Sequence, residues 1–144
     1  MRISIFGLGY VGAVSAGVLS AEGHSVIGID PNQVKVDLIN SGRTPIIEKD
    51  IGDIIARSVK NQLLSATTNV EKAVAETELS MICVGTPSQA NGSLDLTYVV
   101  RVCEEIGAAI KEKAEYPPAL SPMVPISPPW KKPCCWLKCF SKGT

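Results

Sequence analysis

The chain has 144 residues, 45% of them hydrophobic, with 14 basic and 14 acidic side chains. That is enough apolar material for one cored domain but not for two of ordinary size. A formal net charge of zero lacks the basic surplus that a nucleic-acid partner requires.

Residues 2–6, Arg-Ile-Ser-Ile-Phe, read as a strand entered directly, with no basic region, long apolar stretch or small-residue cleavage site ahead of it. No run is long enough to cross a bilayer, so the expectation is a cytoplasmic protein with no membrane partner. A helix rich in Gly and Ala is predicted over 10–21, then a strand over 25–29 that ends on Asp30. A helix over 33–39 follows, with Asn32 placed to cap it and Gly42 beyond its end. Residues 43–49 form a loop into a helix near 50–61, where Ile51, Ile54, Ile55 and Val59 share one face. Leu64–Thr67 reads as a short strand, and Asn69 is placed to cap a helix through Glu76.

Leu79–Val84 is nearly continuous apolar sequence, the pattern of a central strand buried on both faces, and it stops at Gly85-Thr86-Pro87. The clearest helix spans 97–113, with a stripe of Val99, Val102, Cys103, Ile106 and Ile110 and Asp95 near its start. Strands alternating with helices predict an α/β fold, a Rossmann-like parallel sheet.

After Glu115 the composition changes. Seven of the ten prolines, both tryptophans and Cys134, Cys135 and Cys139 lie in 116–144, together with four lysines and no acid. The charge is therefore −4 over 1–115 and +4 over the tail. Two units are expected: a domain over 1–115 and an irregular Pro- and Cys-rich tail over 116–144. The tail cysteines lack metal-ligand spacing, so no metal site is assigned. Cys83 and Cys103, within apolar segments, read as small core residues.

Gly7-Leu8-Gly9-Tyr10-Val11-Gly12 is G-x-G-x-x-G. It follows a strand, opens a helix, and precedes a second strand that ends in an acid eighteen residues after Gly12. Gly7 permits the tight turn, Gly9 a close approach of a pyrophosphate, and Gly12 close helix packing. The N–H groups near Tyr10 and Val11 then face the phosphates at the positive end of the helix dipole. Asp30 is placed to accept from the adenosine ribose hydroxyls and to repel a 2′-phosphate, which selects NAD over NADP. Lys35, one turn into the next helix, reads either as a contact to that ribose or a phosphate, or as a solvated surface lysine. Thr86 lies past the carboxyl end of a strand, where open α/β sheets hold ligands. His24, in a turn with Gly23, has no base or ligand partner in the sequence.

With these strings the chain over Met1–Glu115 resembles the N-terminal domain of the UDP-glucose/GDP-mannose dehydrogenases. The resemblance rests on residues 1–12, Val26–Asp30, Val36–Asn40 with Gly42, Pro45-Ile-Ile-Glu48, Ile82–Pro87 and Asn91–Asp95, and it is stronger to the GDP-mannose branch, which serves alginate-type uronate supply. It implies NAD as cofactor, contacted by Tyr10, Val11, Asp30, Lys35 and Thr86. The family oxidises the C6 alcohol of a nucleotide sugar to a carboxylate in two NAD-dependent steps through a cysteine-bound intermediate. The catalytic cysteine, its helpers and the sugar contacts lie in later parts of the family chain. No catalytic residue is therefore assigned, and a nucleotide sugar is expected as partner only of a full-length relative.

Where the family continues with another strand, this chain reads Tyr116-Pro-Pro-Ala-Leu-Ser-Pro, and prolines at that density cannot feed a central ladder. The expectation is an incomplete sheet with an open edge, in a shortened gene product whose last residues are out of frame or fused. Two other readings stay open: a UDP-glucose 6-dehydrogenase portion, and a module that binds NAD or a partner without catalysing a reaction.

Overall fold

Ile3 and Ile5 point to one side of the first strand and Ser4 and Phe6 to the other, and all four are buried. A strand covered on both faces belongs inside a sheet with a helical layer on each side. The computed structural model describes residues 1–112 apart from Lys49 and Asn91, and for Glu112 the backbone alone. The tail expected over 116–144 lies outside the described residues.

The elements follow in the order β1 (Arg2–Phe6), α1 (Tyr10–Ala21), β2 (Ser25–Ile29), α2 (Gln33–Asn40), α3 (Ile51–Lys60), β3 (Leu64–Thr67), α4 (Val70–Glu76), β4 (Leu79–Ile82) and α5 (Thr97–Glu112). The predicted cap at Asn32 is present: its side chain accepts from the Val34 N–H at 3.0 Å. So is that at Asn69, which accepts from the Lys72 N–H at 2.8 Å. Each satisfies one donor that a helix start leaves without an intrahelical acceptor.

The four strands are parallel, in the order β3-β2-β1-β4. The chain thus steps outward from β1 to β3, crosses back, and resumes on the other side with β4. Phe6 is in register with both Ile29 and Ile82, so β1, β2 and β4 finish together. One core fills the side under α1, α2 and α3, with Ile3, Ile5, Leu8, Val26, Ile39 and Ile55 at its centre. The other holds Phe6, Ile29, Ala73, Val74, Ile106 and Ala109 under α4 and α5. Each such aliphatic or aromatic side chain contributes about 1.5–3 kcal/mol on full burial.

Two expectations are corrected. Every residue of β4 is only half-buried, because among the described residues β4 has a strand on one side alone and forms an edge of the sheet. Cys83 and Cys103 are likewise half-buried rather than core residues, and α5 buries Ile106 and Ala109 most deeply. At the opposite edge, the Asn40 side chain donates to the Ala66 carbonyl at 2.9 Å and accepts from the Ala66 N–H at 2.8 Å, standing in for a neighbouring strand.

Candidate functional site: a dinucleotide crevice

The reversal of strand order opens a crevice outside the carboxyl ends of β1 and β4, the place where open α/β sheets take ligands. The glycine loop forms its floor. Gly7 has φ +94°, a conformation costly for any residue with a Cβ, and its N–H donates to the Ile29 carbonyl at 2.7 Å. A Cβ on Gly12 would lie 1.8 Å from the Gly7 carbonyl oxygen, so this glycine lets the first turn of α1 sit directly on the loop.

Gly9 differs from both. Its φ is −81° and a Cβ there would meet nothing within 4 Å. Neither strain nor protein packing requires glycine at this position. The open space lies beside the start of α1, where the N–H groups of the first turn, Tyr10, Val11 and Gly12, have no acceptor one turn back. Side chains are absent from the α1 cap, and no acid occupies its first turn. Open space, free donors and the positive helix end together suit a diphosphate.

Asp30, 5% exposed, follows β2 at the rim of this floor. Its Oδ2 accepts from the Leu8 N–H at 2.9 Å and from Lys35 Nζ at 2.9 Å, and its Oδ1 accepts from the Asn32 N–H at 2.9 Å. Burial works to raise the Asp30 pKa, but the hydrogen bonds from Lys35, Asn32 and Leu8 outweigh it and hold the carboxyl below the usual aspartate value. A carboxylate offers about four acceptor positions, which leaves one on Oδ1 for a ligand hydroxyl. Lys35 is thus not a free surface lysine: it is the ion-pair partner of Asp30.

On the other lip, Thr86 is exposed in the loop after β4. That loop is drawn against the glycine turn because the Cys83 N–H donates to the Phe6 carbonyl at 2.7 Å. A Cβ on Gly7 would meet the Cys83 carbonyl oxygen at 2.9 Å. Burial pushes the Cys83 thiol up, which disfavours its thiolate. Among the described residues no group of three or more His, Cys, Asp or Glu could hold a metal ion, and no helix is long and apolar enough to cross a membrane.

Residues 1–115 match the UDP-glucose/GDP-mannose dehydrogenase family, NAD binding domain. The chain belongs to that family. The match stops at the residue where the composition changes. Over 115 residues the chain is 56% identical to the GDP-mannose 6-dehydrogenase of Azotobacter vinelandii, covering 80% of this chain and 26% of that protein. Against the UDP-glucose 6-dehydrogenase of Rhizobium meliloti identity falls to 35% over 112 residues, covering 77% and 26%. A crystal structure of a ternary complex of the GDP-mannose dehydrogenase of Pseudomonas aeruginosa superposes with a TM-score of 0.78 at 56% identity, over 80% of this chain and 26% of that one. The family portion present here therefore spans about a quarter of the length of these relatives, and its cofactor is NAD.

The glycine loop, Asp30 and Lys35 are brought together by direct bonds, and Thr86 stands exposed in the loop after β4. Sequence reasoning missed two contacts. The Leu8 N–H bond to Asp30 links positions 22 apart, and the bond from the Tyr10 hydroxyl to Glu48 Oε2, at 2.5 Å, links positions 38 apart. Glu48 stood in the Pro45–Glu48 string without an assigned role.

Proposed function

We propose that this chain is the cofactor-holding portion of a nucleotide-sugar 6-dehydrogenase of the GDP-mannose type. The N–H groups of Tyr10 and Val11, with Gly7, Gly9 and Gly12 clearing the space, hold the NAD diphosphate. Asp30, steadied by Lys35, takes an adenosine ribose hydroxyl. Thr86 bounds the nicotinamide end. The bound nicotinamide supplies hydride acceptance; the residues named here bind and orient it. The domain boundary proposed is residue 115.

The observation that carries this reading is the empty volume at Gly9, a glycine kept where nothing in the protein needs one. The higher identity to GDP-mannose 6-dehydrogenases, 56% against 35%, supports the sugar assignment. Calorimetric titration of the 144-residue chain with NAD and NADP tests it. The expected result is saturable NAD binding and much weaker NADP binding; equal affinities, or none for NAD, would sink the proposal.

A further inference from the structure

Tyr10 is the first residue of α1 and carries 59% of its surface exposed, with no apolar pocket to fix its ring. What fixes it is its hydroxyl, which donates to Glu48. Glu48 is exposed on the segment between α2 and α3, and neighbouring Ile47 is wholly exposed. The segment is bounded by two left-handed residues, Gly42 at φ +72° and Asp50 at φ +67°. Ile46, two residues before Glu48, packs against the core and brings the segment near; the Tyr10 bond is the contact that reaches Glu48 itself. Tyr10 is also a residue whose N–H faces the diphosphate seat, so a side chain 38 positions away sets the orientation of a residue at the cofactor.

We infer that Glu48 is a positioning residue for the cofactor: by accepting the Tyr10 hydroxyl it holds that ring as a fixed wall of the dinucleotide crevice before NAD arrives. This rests on the NAD reading above. Without the acceptor, Tyr10 must be ordered on binding, and immobilising one such side chain weakens affinity by about two- to twelvefold. The carboxylate also brings negative charge near an anionic ligand, so deleting it relieves some repulsion. Comparing two uncharged variants removes that second effect. Gln keeps an acceptor at the same reach and Ala does not.

The test is NAD titration of the 144-residue chain carrying Glu48→Gln or Glu48→Ala, each with Tyr10 intact and with Tyr10→Phe. Glu48→Ala should bind about two- to twelvefold more weakly than Glu48→Gln when Tyr10 is present, and the two should bind alike in the Tyr10→Phe background. A second readout needs no NAD: Glu48 holds the Tyr10 phenol above the ordinary tyrosine range, so Glu48→Ala should shift one of the three tyrosine ionisations, followed by ultraviolet absorbance, to lower pH. Equal binding of the two Glu48 variants in a chain that binds NAD overturns this inference and leaves the cofactor reading standing. A difference that persists without the Tyr10 hydroxyl, or an unmoved ionisation, also overturns it. If the unmodified chain binds no NAD, the cofactor reading fails and takes this inference with it.

Discussion

The Leu8 N–H donates to Asp30 Oδ2 over 2.9 Å, so the glycine loop and the end of β2 are joined by the carboxylate proposed to take the ribose. Leu8 itself is fully buried, and its side chain fills the space that a Cβ on Gly28 would take, with Leu8 Cδ2 2.6 Å from that position. On the proposed reading, ligand recognition and loop geometry therefore depend on one side chain.

Asp30→Ala should do two things at once. Leaving the buried Leu8 N–H unsatisfied costs about 1–3 kcal/mol of stability. Losing the ribose acceptor weakens NAD by roughly ten- to a hundredfold, and loss of the negative charge narrows the gap to NADP. Chemical denaturation and calorimetry on the same preparation separate the effects. A variant as stable as the unmodified chain would contradict the first.

Lys35→Met makes the opposite change at this pair. With the ammonium removed, the Asp30 charge stands without its partner 2.9 Å away, and a 2′-phosphate should be repelled more strongly. NADP affinity is expected to fall by more than NAD affinity, widening the ratio by about three- to tenfold at low salt. A ratio that stays the same or narrows would argue against Lys35 acting on the cofactor through Asp30.

Gly9→Val and Gly12→Ala form a contrasting pair. The first places atoms in open space, so circular dichroism and the melting temperature should stay near those of the unmodified chain while NAD binding disappears. The second drives a methyl into the Gly7 carbonyl and should cost about 3 kcal/mol or more. Were Gly9→Val to bind NAD normally, the motif would be a turn and nothing else.

Acid should loosen the domain through identifiable carboxylates. The folded Asp30 pKa lies below the ordinary value, so its stabilising contribution is complete above the unfolded value of about 3.9 and is lost as pH falls through the folded one. Asp95, which accepts from the Thr97 N–H and hydroxyl at the start of α5, and Glu78, which accepts from the Arg2 N–H, are lowered too and act with the same sign. Melting temperatures taken from about pH 6 down to about pH 2.5 should fall, and Asp30→Asn should flatten part of that fall. An unchanged slope in Asp30→Asn would argue against the Asp30 assignment.

The 144-residue chain alone should produce no NADH from NAD with GDP-mannose or UDP-glucose. Hydride transfer needs the reacting carbon held about 3–3.5 Å from the nicotinamide. This chain spans about a quarter of the length of the relatives it matches, and no catalytic role is assigned to its residues. Sustained sugar-dependent absorbance at 340 nm from protein free of host enzyme would refute this.

Local signals in the sequence transferred well to the structure because their physics is local. The caps at Asn32 and Asn69 and the limits of the first helix and first two strands follow from neighbours within a few residues. The G-x-G-x-x-G spacing likewise pointed to the strand–turn–helix and the acid after β2 that the structure forms, since all lie within 30 residues. What could not be read were bonds between distant segments: Tyr10 with Glu48, and Leu8 with Asp30. The same reason explains β4. Its apolar run suits cover on both faces, but cover is supplied by other elements, and among the described residues one side has no strand. The small turn that pairs Ser88 with Leu94 around Gly92 also escaped notice, because nothing apolar alternates there.

Asn40 has a consequence for how copies of this chain meet. Its side chain occupies the backbone groups of Ala66, so that residue has little left to offer a further strand, while among the described residues β4 has no strand on its outer side. Edge-to-edge addition at β3 therefore meets one position that is already taken.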